Sequence, residues 1–88
     1  MAFVYILRCN DGTLYTGSAK DLAARLKKHN AGTAARYTRG RRPVCLVWYE
    51  ETESWSAALK KEHAVKQLSR KKKEVLLAQA SPCDPHFG

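Results

Sequence analysis

The fold is decided by residues 3–17, which read FVYILRCNDGTLYTG. Aromatic and β-branched residues fill positions 3–7, a turn signal follows at Asn10-Asp11-Gly12, and a second short run begins at Leu14. This pattern predicts a β-hairpin, because Asn, Asp and Gly favour the tight turns that join antiparallel strands.

The length of the hairpin loop determines whether Tyr5 and Tyr15 lie on the same face of the sheet. A two-residue turn would point the two side chains to opposite faces, whereas a three-residue loop pairs Tyr5 with Gly17. Gly12 favours the three-residue loop, so we expect both phenols on one face, with open space beside the Tyr5 ring at Gly17. Two half-buried tyrosines that simply fill a strand pair are the alternative.

The chain beyond the hairpin reads as a helix, a basic loop, a strand and two further helices. Apolar residues have helical spacing over residues 21–30, and Gly32 is placed to end that helix. Residues 44–49 are nearly all apolar or aromatic, which predicts a strand buried on both faces of the sheet. Two more helices are predicted over residues 54–68 and from residue 69 onward, each beginning at a serine that can cap it.

These elements make a single domain of the α/β class. A chain of 88 residues has room for one hydrophobic core. The order β-β-α-β-α-α therefore predicts a small sandwich in which helices flank one three-stranded sheet. We expect the domain to cover residues 1–80 and residues 81–88 to form a flexible C-terminal tail.

The composition argues against several classes of protein. Lys and Arg number 16 against 8 Asp and Glu, and the resulting net charge of +8 favours a polyanionic partner. No apolar run approaches the ~20 residues that cross a bilayer, and the first eight residues lack the pattern of a secretory signal. Three widely spaced cysteines fit neither a disulfide framework nor a zinc site. We therefore expect a cytoplasmic protein with reduced thiols and no membrane partner.

Half of the basic residues lie between Lys20 and Arg42, where Asp21 is the one acidic residue. An arginine fork matches the oxygens of a phosphate, and the Tyr37 ring can stack on a base. A solvated surface is the alternative, although it accounts less well for four arginines and a tyrosine within residues 35–42. The candidate nucleic-acid contacts are Lys27, Lys28, Arg36, Tyr37, Arg39, Arg41, Arg42 and Lys66.

Arg25 and His29 are four residues apart on the first predicted helix and therefore lie on one helical face. This face borders the apolar stripe, so both side chains are expected to point along the edge of the buried surface. There an arginine can hold a phosphate and a histidine can move a proton near neutral pH. The alternative is a surface arginine together with a histidine that interacts with the helix dipole.

Glu62 falls inside the apolar face of the helix predicted over residues 54–68. A carboxylate in that position must be balanced by a cation, by hydrogen bonds or by protonation, because burial disfavours its charged form. One Glu with water and a phosphate oxygen is adequate for Mg²⁺, which keeps most of its own waters. A salt bridge to Lys66 or to Arg25 is the alternative.

Taken in order, these features resemble the GIY-YIG nuclease family, in particular its short stand-alone YhbQ-like members. The two motifs of the family are matched at Phe3-Val4-Tyr5 and at Tyr15-Thr16-Gly17, with Phe3 in the position of the first glycine. The later segments resemble, in turn, the helix that carries Arg and His, the basic turn, and the helix with the metal-binding Glu: residues 21–30, 39–43 and 57–62. The resemblance covers nearly the whole chain.

The resemblance implies a role for each candidate catalytic residue. Tyr5 would activate or supply the attacking oxygen, and Tyr15 would help to position the scissile phosphate. Arg25 would stabilise the phosphate, and His29 would assist proton transfer. Glu62 would be the ligand of a single divalent cation, Mg²⁺ or Mn²⁺. A phenol acts as a base more readily if an adjacent cation, Arg25 or the metal, lowers its pKa.

The function implied by the resemblance is metal-dependent hydrolysis of DNA by an endonuclease that recognises strand structure, in DNA repair or recombination. Its partner would be single-stranded, duplex or branched DNA, with RNA as an alternative and an accessory protein as a further candidate. Some members carry an asparagine downstream of the metal-binding Glu, but this chain has no Asn after Asn30. A nucleic-acid binding module of the same fold with little or no turnover is therefore the alternative function.

Overall fold

The computed structural model describes residues 1–78. Three strands form one antiparallel sheet in the order β2-β1-β3, so the first strand is central and the other two are edges. The predicted tail, residues 81–88, lies outside the described residues. The elements in chain order are β1 Ala2–Arg8, β2 Leu14–Ala19, α1 Leu22–Ala31, α2 Arg36–Arg39, β3 Cys45–Thr52, α3 Trp55–Lys66 and α4 Arg70–Ala78.

The hairpin of β1 and β2 has the predicted three-residue loop. Gly12 adopts the left-handed conformation, with φ of 85°. Tyr5 pairs with Gly17 and Leu7 pairs with Tyr15, which is the register expected from a loop of this length. The two tyrosines therefore point to the same face of the sheet, as predicted.

The sheet separates two hydrophobic clusters. Side chains alternate along β1, so its odd-numbered residues face α1 and its even-numbered residues face α3 and α4. Leu22 and Leu26 of α1 cover the first face, and Ala58 and Val65 of α3 cover the second. Helices on both faces of a three-stranded sheet confirm the predicted α/β sandwich.

Local signals set the helix ends where the sequence predicted them. Asp21 and Ser54 cap α1 and α3, each accepting a hydrogen bond at 3.1 Å from the backbone N–H three residues on. Ser69 accepts a bond of the same kind at 3.3 Å where α4 begins. Gly32 ends α1 in the left-handed conformation, with φ of 83°.

Two predictions about the middle of the chain were wrong. Residues 32–43, predicted as a loop, contain the single-turn helix α2. Residues 44–49, predicted as a strand buried on both faces, belong to an edge strand on which Tyr49 is 50% exposed. The apolar run was misleading because only part of it is buried: Leu46 belongs to the first cluster and Trp48 packs against the second, whereas Tyr49 is exposed. The strand with a neighbour on each side is β1.

Within residues 1–78, no helix has both the length and the apolar character needed to span a membrane. Cys9 and Cys45 carry free thiols, the first buried and the second half-buried. Phe3, which stands in the place of a glycine, packs against the cluster on the α1 side and lies edge-on to Tyr49. Its bulk is therefore accommodated at the margin of the core.

Candidate active site

Tyr5 of β1 and His29 of α1 form a buried pair. The Tyr5 hydroxyl oxygen lies 2.8 Å from His29 Nε2, and the two side chains are 2% and 1% exposed. His29 follows Leu26 by three residues and so lies on the apolar stripe of α1 itself. The sequence placed His29 beside that stripe, and the structure corrects this, because Tyr5 and Thr38 supply polar partners inside the core.

Thr38 of α2 completes a chain of hydrogen bonds that begins at Tyr5. Its Oγ1 lies 2.9 Å from His29 Nδ1, and its side chain is fully buried. Thr38 was not predicted as a site residue, because it follows His29 by nine positions in a segment that reads as a loop and has no periodicity.

Burial dominates the protonation of the pair. Desolvation, supported by the nearby charge of Arg25, lowers the pKa of His29 to about 4. Desolvation also raises the pKa of Tyr5 above its usual range, the Tyr15 and Glu62 groups add to this, and Arg25 opposes it only in part. Both side chains are therefore uncharged at neutral pH. Arg25 acts on the pKa of Tyr5 in the expected direction, but burial outweighs its charge.

Tyr15 lies beside the pair. Its ring centroid is 5.3 Å from that of His29 and 6.5 Å from that of Tyr5. Tyr15 also stacks on Tyr37, with centroids 5.7 Å apart, and the Arg41 guanidinium lies over the same Tyr37 ring at 4.2 Å. A base that stacked on Tyr37 would compete with these contacts, so the predicted stacking role of Tyr37 requires Arg41 to move.

Arg25 projects from α1 next to the buried pair and is half-buried. Among residues 1–78 its guanidinium has no hydrogen-bond or ion-pair partner. Its charge nevertheless acts on both groups, because it lowers the pKa of Tyr5 and of His29. A half-buried guanidinium without a partner is suited to bind an anion, since a phosphate would offset its charge and accept its hydrogen bonds.

Glu62 reaches the same strand edge from the opposite face of the sheet. Its Oε1 accepts a hydrogen bond from the hydroxyl of Ser18, which is the residue after Gly17 on β2. Its Oε2 lies 2.8 Å from Lys66 Nζ, so the predicted alternative of a salt bridge to Lys66 is confirmed. Its charge also raises the pKa of Tyr5, as the smallest of four contributions, although the two groups belong to opposite layers.

The Glu62 carboxylate is ionised at neutral pH. Desolvation would raise its pKa, but the hydrogen bonds from Lys66 and Ser18 and the Lys66 charge together outweigh burial and lower the pKa. No group of three or more His, Cys, Asp or Glu side chains that could hold a metal occurs in the described part of the chain. One carboxylate with water and phosphate oxygens fits Mg²⁺ or Mn²⁺, both of which take oxygen ligands. Lys66, with half of its side chain exposed, occupies one Glu62 oxygen and would have to give it up to the metal.

Gly17 allows the Tyr5 hydroxyl to approach β2. A Cβ atom at Gly17 would stand 2.6 Å from the Tyr5 hydroxyl oxygen and 3.1 Å from a ring carbon of Tyr15. The second motif therefore ends in glycine because a larger residue would collide with both tyrosines. We use the name β2-edge site for the four side chains that reach Gly17 and Ser18 directly or through Tyr5, together with Arg25, whose charge acts on Tyr5 and His29: Tyr5, Tyr15, Arg25, His29 and Glu62.

Besides Tyr37 and Lys66, whose contacts are described above, the predicted nucleic-acid contacts fall into two groups. Arg41 Nε donates to the Asp11 carboxylate at 3.0 Å, and Arg42 Nε donates to the Arg39 carbonyl at 2.8 Å, so both side chains anchor the segment that contains α2. The other group is exposed and has no side-chain partner within residues 1–78: Lys27, Lys28, Arg36 and Arg39. Contact between these four side chains and nucleic acid stays a prediction.

Comparisons with known proteins identify the family of the chain. A family model described as the GIY-YIG catalytic domain matches residues 1–74. The chain is 53% identical over 77 residues to a UPF0213 protein of Staphylococcus aureus, an alignment that covers 88% of this chain and 94% of the relative.

Two solution NMR structures resemble the fold. One is a UPF0213 protein from Bacillus halodurans, with 44% identity, a TM-score of 0.58, and coverage of 99% of this chain and 92% of that one. The other is a protein from E. faecalis, with 44% identity, a TM-score of 0.59, and coverage of 88% and 82%. The chain therefore belongs to the GIY-YIG domain family, as a short protein similar to the UPF0213 group.

Proposed function

We propose that the protein is a metal-dependent endonuclease that hydrolyses DNA phosphodiester bonds at the β2-edge site. The observation that carries this proposal is that the hydrogen-bonded Tyr5–His29 pair reaches the edge strand at Gly17 and the ionised Glu62 carboxylate reaches it at Ser18, while the charge of Arg25 acts on the pair. Phosphodiester hydrolysis needs groups of these kinds, because it requires an activated water and neutralised charge on the phosphoryl oxygens.

Arg25 would bind the scissile phosphate. Its guanidinium is half-buried and has no partner among residues 1–78, so a phosphate would replace lost hydration with charge-assisted hydrogen bonds. Tyr15, whose ring lies beside the Tyr5–His29 pair, would hold the same phosphate in position. The exposed lysines and arginines of α1 and α2 would contact the phosphates on either side.

The Tyr5–His29 pair would remove the proton from the attacking water. Tyr5 would take that proton on its oxygen while passing its own hydroxyl proton to His29 Nε2, so no charged tyrosinate accumulates. The water oxygen forms the new P–O bond as the bond to the leaving oxygen breaks. Burial is the main cause of the lowered pKa of His29, and the charge of Arg25 adds to it. A phosphate on Arg25 would offset the second cause, so substrate binding would raise that pKa in part and make His29 a better base.

Glu62 would hold the Mg²⁺ or Mn²⁺ ion, in exchange for its contact with Lys66. When bound, the metal would neutralise the developing charge on phosphate and leaving oxygens. Lys66 would then be available to the DNA backbone. Cytoplasmic DNA repair or recombination would be the setting, with single-stranded, duplex or branched DNA as substrate, RNA as an alternative substrate, and an accessory protein as a further partner.

A nucleic-acid binding module with little turnover is the second candidate. Two observations favour it: Tyr5 is only 2% exposed, and no asparagine follows Glu62. Such a module would bind DNA through the exposed basic side chains with a steep dependence on salt, and would give no metal-dependent product.

The test is a cleavage assay on end-labelled single-stranded, duplex, flap and junction DNA and on matched RNA, with Mg²⁺, Mn²⁺ or EDTA. We expect metal-dependent cleavage that Glu62→Gln lowers by about 100-fold or more. The control is Glu50→Gln. This change breaks the exposed ion pair between Glu50 of β3 and Lys61 of α3 and should leave cleavage unchanged.

Two results would contradict the nuclease. Salt-sensitive DNA binding with no product on any substrate would support the binding module. Cleavage that is equal in the wild type and in Glu62→Gln would show that the product comes from another enzyme.

A further inference from the structure

Thr38 is the one buried residue of α2, and its hydroxyl is fully enclosed. The hydroxyl has two partners: His29 Nδ1 at 2.9 Å and the Ala35 carbonyl oxygen at 3.2 Å. A buried hydroxyl with these two partners either only packs in the core or determines which ring nitrogen of His29 carries the proton. The direction of the hydrogen bonds decides between the two.

A carbonyl oxygen can only accept a hydrogen bond, so the single proton of the Thr38 hydroxyl points to Ala35. Thr38 Oγ1 must then accept from His29, and the proton of the neutral ring lies on Nδ1. Nε2 is left without a proton and accepts from the Tyr5 hydroxyl. Every donor and acceptor among the side chains of Tyr5, His29 and Thr38 then has the partner it needs.

The opposite tautomer leaves the chain unsatisfied. With the proton on Nε2, Tyr5 would have to accept from His29, and its own buried hydroxyl proton would have no partner among residues 1–78. Thr38 would turn its proton toward Nδ1 and lose its bond to the Ala35 carbonyl, which keeps the Arg39 N–H as a donor, so the Tyr5 proton is the unsatisfied group. Unsatisfied groups inside a core are costly, so the structure favours a proton on Nδ1.

From this geometry we infer that Thr38 is a positioning residue that holds His29 in the Nδ1–H tautomer, with Nε2 open to the Tyr5 proton. The α2 turn that carries Thr38 is fixed at both sides, by the stack of Tyr37 on Tyr15 and by the bond from Arg41 to Asp11. Rigid support of this kind is what a positioning residue needs.

The groups that face His29 come from four elements: Tyr5 from β1, Tyr15 from β2, Arg25 from α1 and Thr38 from α2. Arg25 is the charged member of this set and favours the neutral ring. The choice between the two neutral tautomers therefore depends on the hydrogen bonds of Thr38 and Tyr5. The importance of that choice for catalysis rests on the proposed function, whereas the tautomer itself does not.

The test combines ¹⁵N NMR of the histidine ring with cleavage kinetics on Thr38→Val, Thr38→Ser and a matched control, Thr33→Val. Thr33 is exposed and bonds the Lys28 carbonyl at 3.3 Å in the same segment. In the wild type at pH 7 we expect His29 Nδ1 to resonate as a protonated, pyrrole-type nitrogen and Nε2 as a pyridine-type one. Thr38→Ser and Thr33→Val should give the same pattern, and Thr38→Val should shift it toward a proton on Nε2.

In kinetics, Thr38→Val should lower kcat about 10- to 100-fold with little change in KM, because Arg25 and Glu62 are untouched. Thr38→Ser should restore the rate. A mere loss of packing would lower the melting temperature without moving the ring signals.

A proton on Nε2 in the wild type, or unchanged signals in Thr38→Val, would overturn the inference. A shifted tautomer with an unchanged kcat would overturn its catalytic part. If the wild type has the expected tautomer but cleaves no substrate, the inference stands and the proposed nuclease function fails.

Discussion

Gly17 decides how close the two tyrosines of the β2-edge site come to the sheet. The hairpin register sets Tyr5 opposite Gly17. Because Gly17 has no side chain, the Tyr5 phenol fills the space that a methyl group would otherwise occupy. At the scale of single residues, the site therefore depends as much on an absent side chain as on the groups that react.

The change Gly17→Ala tests this dependence. The added Cβ would stand 2.6 Å from the Tyr5 oxygen, so we expect the phenol to shift from His29, cleavage to fall about 100-fold, and stability to fall by about 1–3 kcal/mol. Gly40→Ala is the matched control, because a Cβ there meets nothing within 4 Å and the backbone φ is −90°. Cleavage rates and thermal melts measure both effects, and equal behaviour of the two variants would rule out the steric explanation.

The sequence predicted that Tyr5 and Tyr15 share a face of the sheet. Side chains alternate between the two faces along a strand, and the length of the hairpin loop sets which residues pair across it. It did not predict that His29 enters the core, since the polar partners that make this possible come from other segments. Thr38 and Ser18 were missed for the same reason: each contacts its functional partner across a distance in the chain that no local pattern encodes.

Among the elements, the segment around α2 has two separate tasks. Arg41 and Arg42 bind groups of the protein itself and hold the segment in place, whereas Arg36 and Arg39 point to solvent. The sequence indicated a cluster of four equivalent arginines, because charge alone does not reveal which guanidinium already has a partner. The overall fold was easier to predict, since strands, caps and the glycine that ends α1 are local signals.

This division predicts different effects for two arginine variants. Replacing Arg36 and Arg39 together by Ala should lower the slope of log affinity against log salt by up to about 2, because each removes one phosphate contact. The melting temperature should stay within a few degrees of that of the wild type. Binding of a labelled oligonucleotide at several salt concentrations measures the slope.

Arg41→Ala should instead lower the melting temperature, since it removes the bond to Asp11 and the contact with Tyr37. An unchanged salt slope in the Arg36 and Arg39 double variant would show that α2 does not touch the nucleic acid.

For the whole molecule, the burial of His29 makes folding sensitive to acid. Its pKa falls from 6.5 in the unfolded chain to about 4 in the folded one, so the unfolded state binds more protons between these values. The contribution of neutral His29 to the free energy of unfolding is therefore fully present above about pH 6.5, and it is lost as the pH falls toward 4. Between pH 7 and pH 5 the loss is about 2 kcal/mol, or roughly 10 °C in melting temperature.

Thermal melts at pH 7 and pH 5 test this account, and the quantity to compare is the difference between the two pH values. His29→Gln should remove most of that difference, although the variant is less stable at both pH values. The control is His63→Gln, which replaces an exposed histidine of α3. This variant should show the same difference in melting temperature between pH 7 and pH 5 as the wild type. Equal acid sensitivity in the wild type and in His29→Gln would assign the effect to other groups.

The β2-edge site contains residues from both layers of the molecule, which lie on opposite faces of the sheet. Tyr5 and His29 belong to the layer of α1, and Glu62 belongs to the layer of α3, with the edge strand β2 between them. The central claim is that these groups act as one catalytic unit around that edge, and not as two unrelated structural contacts.

The most direct measurement of this claim is a double-mutant cycle in single-turnover cleavage of one labelled DNA. The wild type, Tyr5→Phe, Glu62→Gln and the double variant are compared at saturating Mn²⁺. If the groups act as one unit, each single change lowers the rate by about 100-fold or more, and the double variant is scarcely slower than either. Wild-type rates in either single variant, or losses that multiply in the double variant, would contradict it.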